Sequence, residues 1–161
     1  MTRKLGLSAG LIGIIFGVGS AGFLAGALLS GRLSTRIGLG PMLIVGLIIL
    51  AVSDFALPLA AGPKWLVVAI LSVAQICFGL GLTFYNVGQV SLRQAITPDY
   101  LLGRMNATLT FAVAGLIPLG ALLGGFAGGW IGLRTTLLLS AGGELLAVMW
   151  LFFSPVRKLR G

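Results

Sequence analysis

Charged residues are sparse in this chain, and the intervals between them define five long apolar runs, at about residues 7–30, 41–61, 65–92, 105–126 and 135–153. Each matches or exceeds the roughly 20 residues that a helix rising about 1.5 Å per residue needs to cross a hydrocarbon core about 30 Å thick. The pattern predicts an all-α integral membrane protein with five transmembrane helices in a single domain. The connections are short and rich in helix breakers: Gly38-Leu39-Gly40-Pro41, Ala61-Gly62-Pro63-Lys64, Thr97-Pro98-Asp99 and Gly128-Gly129-Trp130-Ile131-Gly132. Connections this short predict that consecutive spans are antiparallel neighbours in one compact bundle.

Composition agrees. Hydrophobic residues make up 58% of the 161 and charged residues only 9%, against roughly 25% charged in a soluble domain. A lipid-bathed surface needs no charge to be solvated. The 26 glycines suit membrane helices that must approach closely without a hydrophobic effect to drive them together. A net charge of +8 raises the question of nucleic acid, but the basic residues lie in short groups between apolar runs with no aromatic interleaving, so a topological role is expected and nucleic-acid binding is not. Seven of them (Arg32, Arg36, Arg93, Arg104, Arg157, Lys158, Arg160) fall on one side and four (Arg3, Lys4, Lys64, Arg134) on the other. That asymmetry predicts a cytoplasmic C-terminus, and the chain is expected to be a multi-pass protein of the cell (inner) membrane. The apolar stretch after Lys4 is too long for a cleavable signal core.

Small residues recur at helical spacing in two spans. Gly13, Gly17, Ala21 and Ala25 repeat every fourth residue in the first, with Gly22 and Gly26 beside them; Gly120, Gly124 and Gly128 run alongside Ala121, Gly125 and Gly129 in the fourth. Such faces are expected to be helix contacts within the bundle. Pro118 removes a backbone hydrogen bond in mid-span, and a kink is expected there, either a static bend or a gating hinge.

The third span carries a polar stripe. Gln75, Asn86, Gln89 and Arg93 fall within about 60° of arc on one helix face. Lipid cannot satisfy amides, so the stripe is expected to face the bundle interior or a water-filled pathway. From Trp65 to Arg93 a helix is about 43 Å long, so Gln89 and Arg93 can also emerge at the interface, which makes Gln75 and Asn86 the better pathway candidates. Two carboxyl groups lie within spans, Asp54 in the second and Glu144 in the fifth. A charged Asp at a helix centre costs at least ~2.5 kcal/mol unless protonated, paired or wetted, so both are proton-coupling candidates. Asp54 lies nearer the end of its span and can also reach interfacial water.

Enzymatic constellations are not found. The sequence has no His, a single Cys77 inside an apolar run, no paired carboxylates in one short motif and no phosphate-cradling loop. No catalytic residue, metal site or cofactor is expected.

The connection Gly31-Arg32-Leu33-Ser34-Thr35-Arg36-Ile37-Gly38 resembles the loop signature of the major facilitator superfamily. Gly31, Arg36 and Gly38 fit it, whereas Thr35 replaces the usual Asp and Leu39-Gly40 a basic pair. The segment from Arg93 to Ala107, the stretch Pro118-Leu119-Gly120-Ala121-Leu122-Leu123-Gly124-Gly125 and the tail Ser154-Pro155-Val156-Arg157-Lys158-Leu159-Arg160 are similar to a bacterial efflux branch that includes macrolide and enterobactin exporters. In the first of these segments Thr97 is expected to cap a short helix beginning at Pro98 and lying along the membrane face, with Asp99 on its N-terminal dipole and Gly103 at the turn into the fourth span. The resemblance implies two six-helix halves with substrate held between them and access alternating by rocking. The five spans would be helices eight to twelve, part of the C-terminal six-helix bundle, with Met1 an internal or misassigned start and the seventh helix and first half missing from the chain.

The function these readings imply is membrane transport, as part of a proton-coupled exporter of small molecules. Its surroundings would be the lipid bilayer, a small-molecule substrate and an N-terminal half, without which transport is not expected. The alternative is a structural or interaction subunit that completes a separately encoded first half.

Overall fold

The computed structural model of the chain describes residues 9–60 and 62–153. The described residues form five helices: α1 (Ala9–Ile37), α2 (Leu39–Leu59), α3 (Lys64–Ile96), α4 (Asp99–Trp130) and α5 (Leu133–Phe153). All five are long and apolar enough to cross a membrane. Of the basic residues that bear on orientation, Arg3, Lys4, Arg157, Lys158 and Arg160 lie outside the described residues, as does the tail from Ser154.

Several helices outrun the charge-free intervals. α1 continues to Ile37, α3 to Ile96, and α4 begins at Asp99 rather than near residue 105. Charge marks where the hydrocarbon ends, but a helix ends where its hydrogen bonds stop. Gly38 stops α1 with φ 90° and ψ 167°, a conformation essentially reserved for glycine, and α2 starts at the next residue. Gly62 and Gly132 reverse the chain at the opposite end, also with positive φ. No separate short helix forms after Pro98. Asp99–Trp130 is one helix, Gly103 is inside it, and Thr97 instead closes α3 by donating its backbone N–H to Arg93 O at 3.0 Å. The helix also runs through Pro118 without interruption.

Chain order does not set spatial order. The principal contacts join α1 to α3, α3 to α2 and α2 to α5; α4 meets α5 lightly, and the sequential pair α1 and α2 barely touch. The array therefore reads α1–α3–α2–α5–α4: consecutive α2 and α3, and α4 and α5, are neighbours as expected, whereas α1 and α2, and α3 and α4, are separated in the array, which corrects the expectation for those two pairs. Short connections force reversal of direction but leave the partner to whichever faces fit.

Glycine decides those partners. Along α1 and α3, Gly19 meets Gln75, Gly22 the backbone of Ile76, Phe23 Gly79, and Gly26 Thr83. Both numbers rise together, so these helices are parallel. Along α2 and α3 the numbers run opposite ways, with Gly88 against Leu43, Gly81 against Ile49 and Gly46 against Tyr85 and Gly81. A methyl group on Gly46 would lie 2.7 Å from Tyr85 N and 2.9 Å from Gly81 O, so the two backbones touch. The α1 face in use is thus Gly19-Gly22-Gly26. Gly13 and Gly17, expected to pack, have nothing within 4 Å, and Ala21 is exposed.

The α4 face departs further from expectation. No residue of α4 is buried, and Gly120, Gly124, Gly125, Gly128 and Gly129 all have nothing within 4 Å. None of the other described helices covers it. Exposed apolar residues elsewhere, such as Leu24 and Leu28, face where lipid would solvate them. Trp65 and Trp130 stand exposed at one end of the array and Tyr100 and Trp150 at the other, as amphipathic rings do at the two membrane interfaces.

Candidate functional site

The two carboxyl groups, read separately in the sequence, meet in the structure. Asp54 lies in the last two turns of α2 and Glu144 near the middle of α5, and their side chains come within hydrogen-bonding reach of each other. On α5 the half-buried Glu144 shares a face with Ala141 and Val148, the two buried residues of that helix. On α2, Asp54 shares a face with buried Ala51 and Pro58. The pair therefore sits in the seam that joins α5 to the rest of the protein.

Among the described residues no donor reaches the buried oxygen of the pair. Glu144 Oε2 is buried and has no hydrogen-bond partner. The hydroxyl of Ser53, beside Asp54, donates to Ile49 O at 2.7 Å within its own helix. Two ionised carboxylates accept hydrogen bonds and cannot donate them. Unit charges about 4 Å apart repel by about 4 kcal/mol at an effective dielectric constant of about 20. One proton between the two groups turns that repulsion into a charge-assisted hydrogen bond.

The polar stripe of α3 divides. Gln75 lies over Gly19 at the α1 interface, where its side chain would collide with any larger residue. Asn86 is exposed. Gln89 Nε2 donates to Tyr85 Oη at 3.5 Å, and Arg93 Nε donates to Gln89 O at 3.3 Å. Arg93 then reaches α4, with Nη1 donating to Asn106 Oδ1 at 3.3 Å. Nearby, Thr97 Oγ1 donates to Met105 Sδ at 3.1 Å. The stripe thus leads from the α1–α3 contact to the first turns of α4. It does not meet the carboxyl pair, which lies at a different interface.

The signature residues prove helical, not looped. Gly31 and Arg36 are exposed in the last two turns of α1, and only Gly38 forms the link to α2. Thr35, standing where an Asp was expected, turns its hydroxyl back onto Gly31 O and Arg32 O at 3.2 and 2.9 Å. It is spent on its own helix. Pro118 is exposed on the uncovered part of α4.

Sequence reasoning missed three features: the meeting of Asp54 with Glu144, the contact between Arg93 and Asn106, and the glycines Gly46, Gly81 and Gly88 that stitch α2 to α3. A signal existed for the last, because Gly81 and Gly88 lie seven residues apart and so share one face. An apolar groove of about 340 Å³ also opens between α2 and α3, lined among others by Val52, Ala56, Val73 and Cys77.

Compared with known proteins, residues 1–161 match the family model described as Major Facilitator Superfamily. No curated protein and no solved structure matches the chain.

Proposed function

The chain belongs to the major facilitator superfamily, and from that premise we propose that it serves proton-coupled export of small molecules, with Asp54 and Glu144 holding the coupled proton between them. Membrane transport is the work of the family, and the chain has the multi-pass helices for it. Coupling to protons rests on one observation above the others, the carboxyl pair in a seam between two membrane helices with no donor at Glu144 Oε2. Such a pair takes up a proton when sealed and gives it back when water enters.

In this reading the five helices are the eighth to twelfth of the family arrangement. Gln75, Asn86 and Gln89 line one wall of the pathway, the exposed Asn86 most directly. Gly31, Arg36 and Gly38 form the corner at the cytoplasmic face, and the exposed Pro118 lies where α4 is free to bend. The opposite wall comes from an N-terminal half.

The uncovered small-residue face of α4 favours a second reading, in which the chain is a structural subunit that docks on a separately encoded half and itself carries no proton. Efflux of a fluorescent amphiphilic cation under an imposed pH gradient, from vesicles that hold the chain together with an N-terminal half, separates the two. Glu144→Gln is expected to abolish gradient-driven efflux and to spare passive equilibration. Unchanged gradient-driven efflux in Glu144→Gln and in Asp54→Asn would remove the pair from the coupling and leave the subunit reading.

A further inference from the structure

We propose that the Asp54–Glu144 pair is a proton-operated latch on the seam between α2 and α5, closed when the two carboxyls share a proton and parted when both are ionised. The inference rests on the reading that the pair holds a proton, and adds what that proton does to the helices.

Three observations carry it. First, the protein is attached unevenly. α1, α3 and α2 are locked together by close backbone contacts at Gly22 and Gly46, where even a methyl group would not fit. α5 buries only Ala141 and Val148, and α4 buries nothing, so these two helices hold to the other three chiefly through the α2–α5 seam. Second, the carboxyl pair is in that seam, on the same faces as Ala141 and Ala51, both fully buried. Third, among the described residues no cation acts on it. The other ionisable groups on the described helices are Arg32 and Arg36 on α1, Lys64, Cys77, Tyr85 and Arg93 on α3, Asp99, Tyr100 and Arg104 on α4, and Arg134 on α5. Every charged one lies within two turns of a helix end, as Asp54 itself does, and none is among the groups acting on either carboxyl.

The chemistry is a reversible protonation. One proton from solvent binds one carboxylate oxygen, and the resulting O–H donates to the other carboxylate, so the pair carries a single negative charge and the seam closes. Release of that proton to water leaves two negative charges facing each other across a weakly packed interface. Repulsion then acts where least packing opposes it, and α5 moves with α4 relative to the three locked helices. Helix shifts of about 1–2 Å are a usual size for such a switch.

Pulsed electron-paramagnetic-resonance distances between spin labels in the bilayer-embedded chain test this, in a Cys77→Ser background. Labels at Leu59→Cys and Leu146→Cys, both exposed, report across the seam; labels at Leu24→Cys and Val73→Cys, also exposed, report within the locked helices. Between about pH 5 and pH 9 the seam distance is expected to lengthen by about 2 Å while the other stays constant. With Asp54→Asn and Glu144→Gln together, the seam distance should keep its acid value throughout, and the unchanged Leu24–Val73 distance confirms that this variant folds. A seam distance indifferent to pH in the parent, or equally pH-dependent in the double variant, overturns the latch. Loss of gradient-driven efflux in Glu144→Gln beside a pH-indifferent seam would defeat the latch alone; a pH-driven seam beside intact efflux would defeat the coupling alone.

Discussion

Helices α1 and α4 carry nearly the same residue pattern and have opposite fates. Each repeats glycine and alanine every fourth position, yet α1 presses Gly19, Gly22 and Gly26 into α3, whereas a Cβ on Gly120, Gly124 or Gly128 of α4 would meet nothing within 4 Å among the described residues. The difference lies in the partner. α3 offers Gly79 and the backbone of Ile76 to α1, so that two smooth surfaces meet. A small-residue face records a capacity for close approach, and only a second surface of matching relief turns it into a contact.

That contrast can be broken most forcefully at the glycines. Gly22→Val or Gly46→Val drives a side chain into a neighbouring backbone, which has no rotamer to change, and is expected to cost about 3 kcal/mol in chemical unfolding of the detergent-solubilised chain. Gly120→Val and Gly124→Val should stay within about 0.5 kcal/mol of the parent in the same assay. Losses on α4 equal to those on α1 would show that its face is covered after all, and the comparison would collapse.

A smaller effect is expected at the α1–α2 link. Gly38→Ala forces a side chain onto a backbone with φ 90° and ψ 167°, for about 2 kcal/mol. Gly31→Ala, in a helix with open space around it, should be neutral or slightly stabilising, because alanine is favoured over glycine in a helix by up to about 1 kcal/mol. The smallest effect concerns the polar link by which the locked helices reach α4. Arg93→Ala and Asn106→Ala should each cost at most about 1 kcal/mol, and together no more than Arg93→Ala alone, since the bond that Asn106 makes is already lost with Arg93. An additive pair would mean that the two residues do not interact.

Hydropathy was enough to find all five helices, because the cost of burying charge in hydrocarbon is large and local. Their ends were less legible. Arg32 and Arg36 on α1 mark the edge of the apolar interval, while the helix goes on to Gly38, whose φ is a property of the turn. Neighbour relations were the least legible part of the fold. Whether Gly22 or Gly17 becomes the contact depends on the relief of α3, which no local pattern in α1 contains. The same holds for the candidate site. Asp54 and Glu144 were each conspicuous as intramembrane acids, but they stand 90 residues apart in the chain, and only the pairing of α2 with α5 brings them together. The polar stripe was found by periodicity, since Gln75, Asn86, Gln89 and Arg93 are on one helix; its division between the α1 contact, open surface and Asn106 was set by where the other helices lie.

Whether Asp54 and Glu144 share a proton is read by infrared difference spectroscopy on the bilayer-embedded chain. A shared proton gives a carbonyl stretch from one protonated carboxylic acid, shifted by hydrogen bonding, that disappears as the pH is raised and is absent from the variant carrying both Asp54→Asn and Glu144→Gln. A spectrum with only ionised carboxylate bands across the whole range, or a protonated-acid band that persists in the double variant, would contradict it.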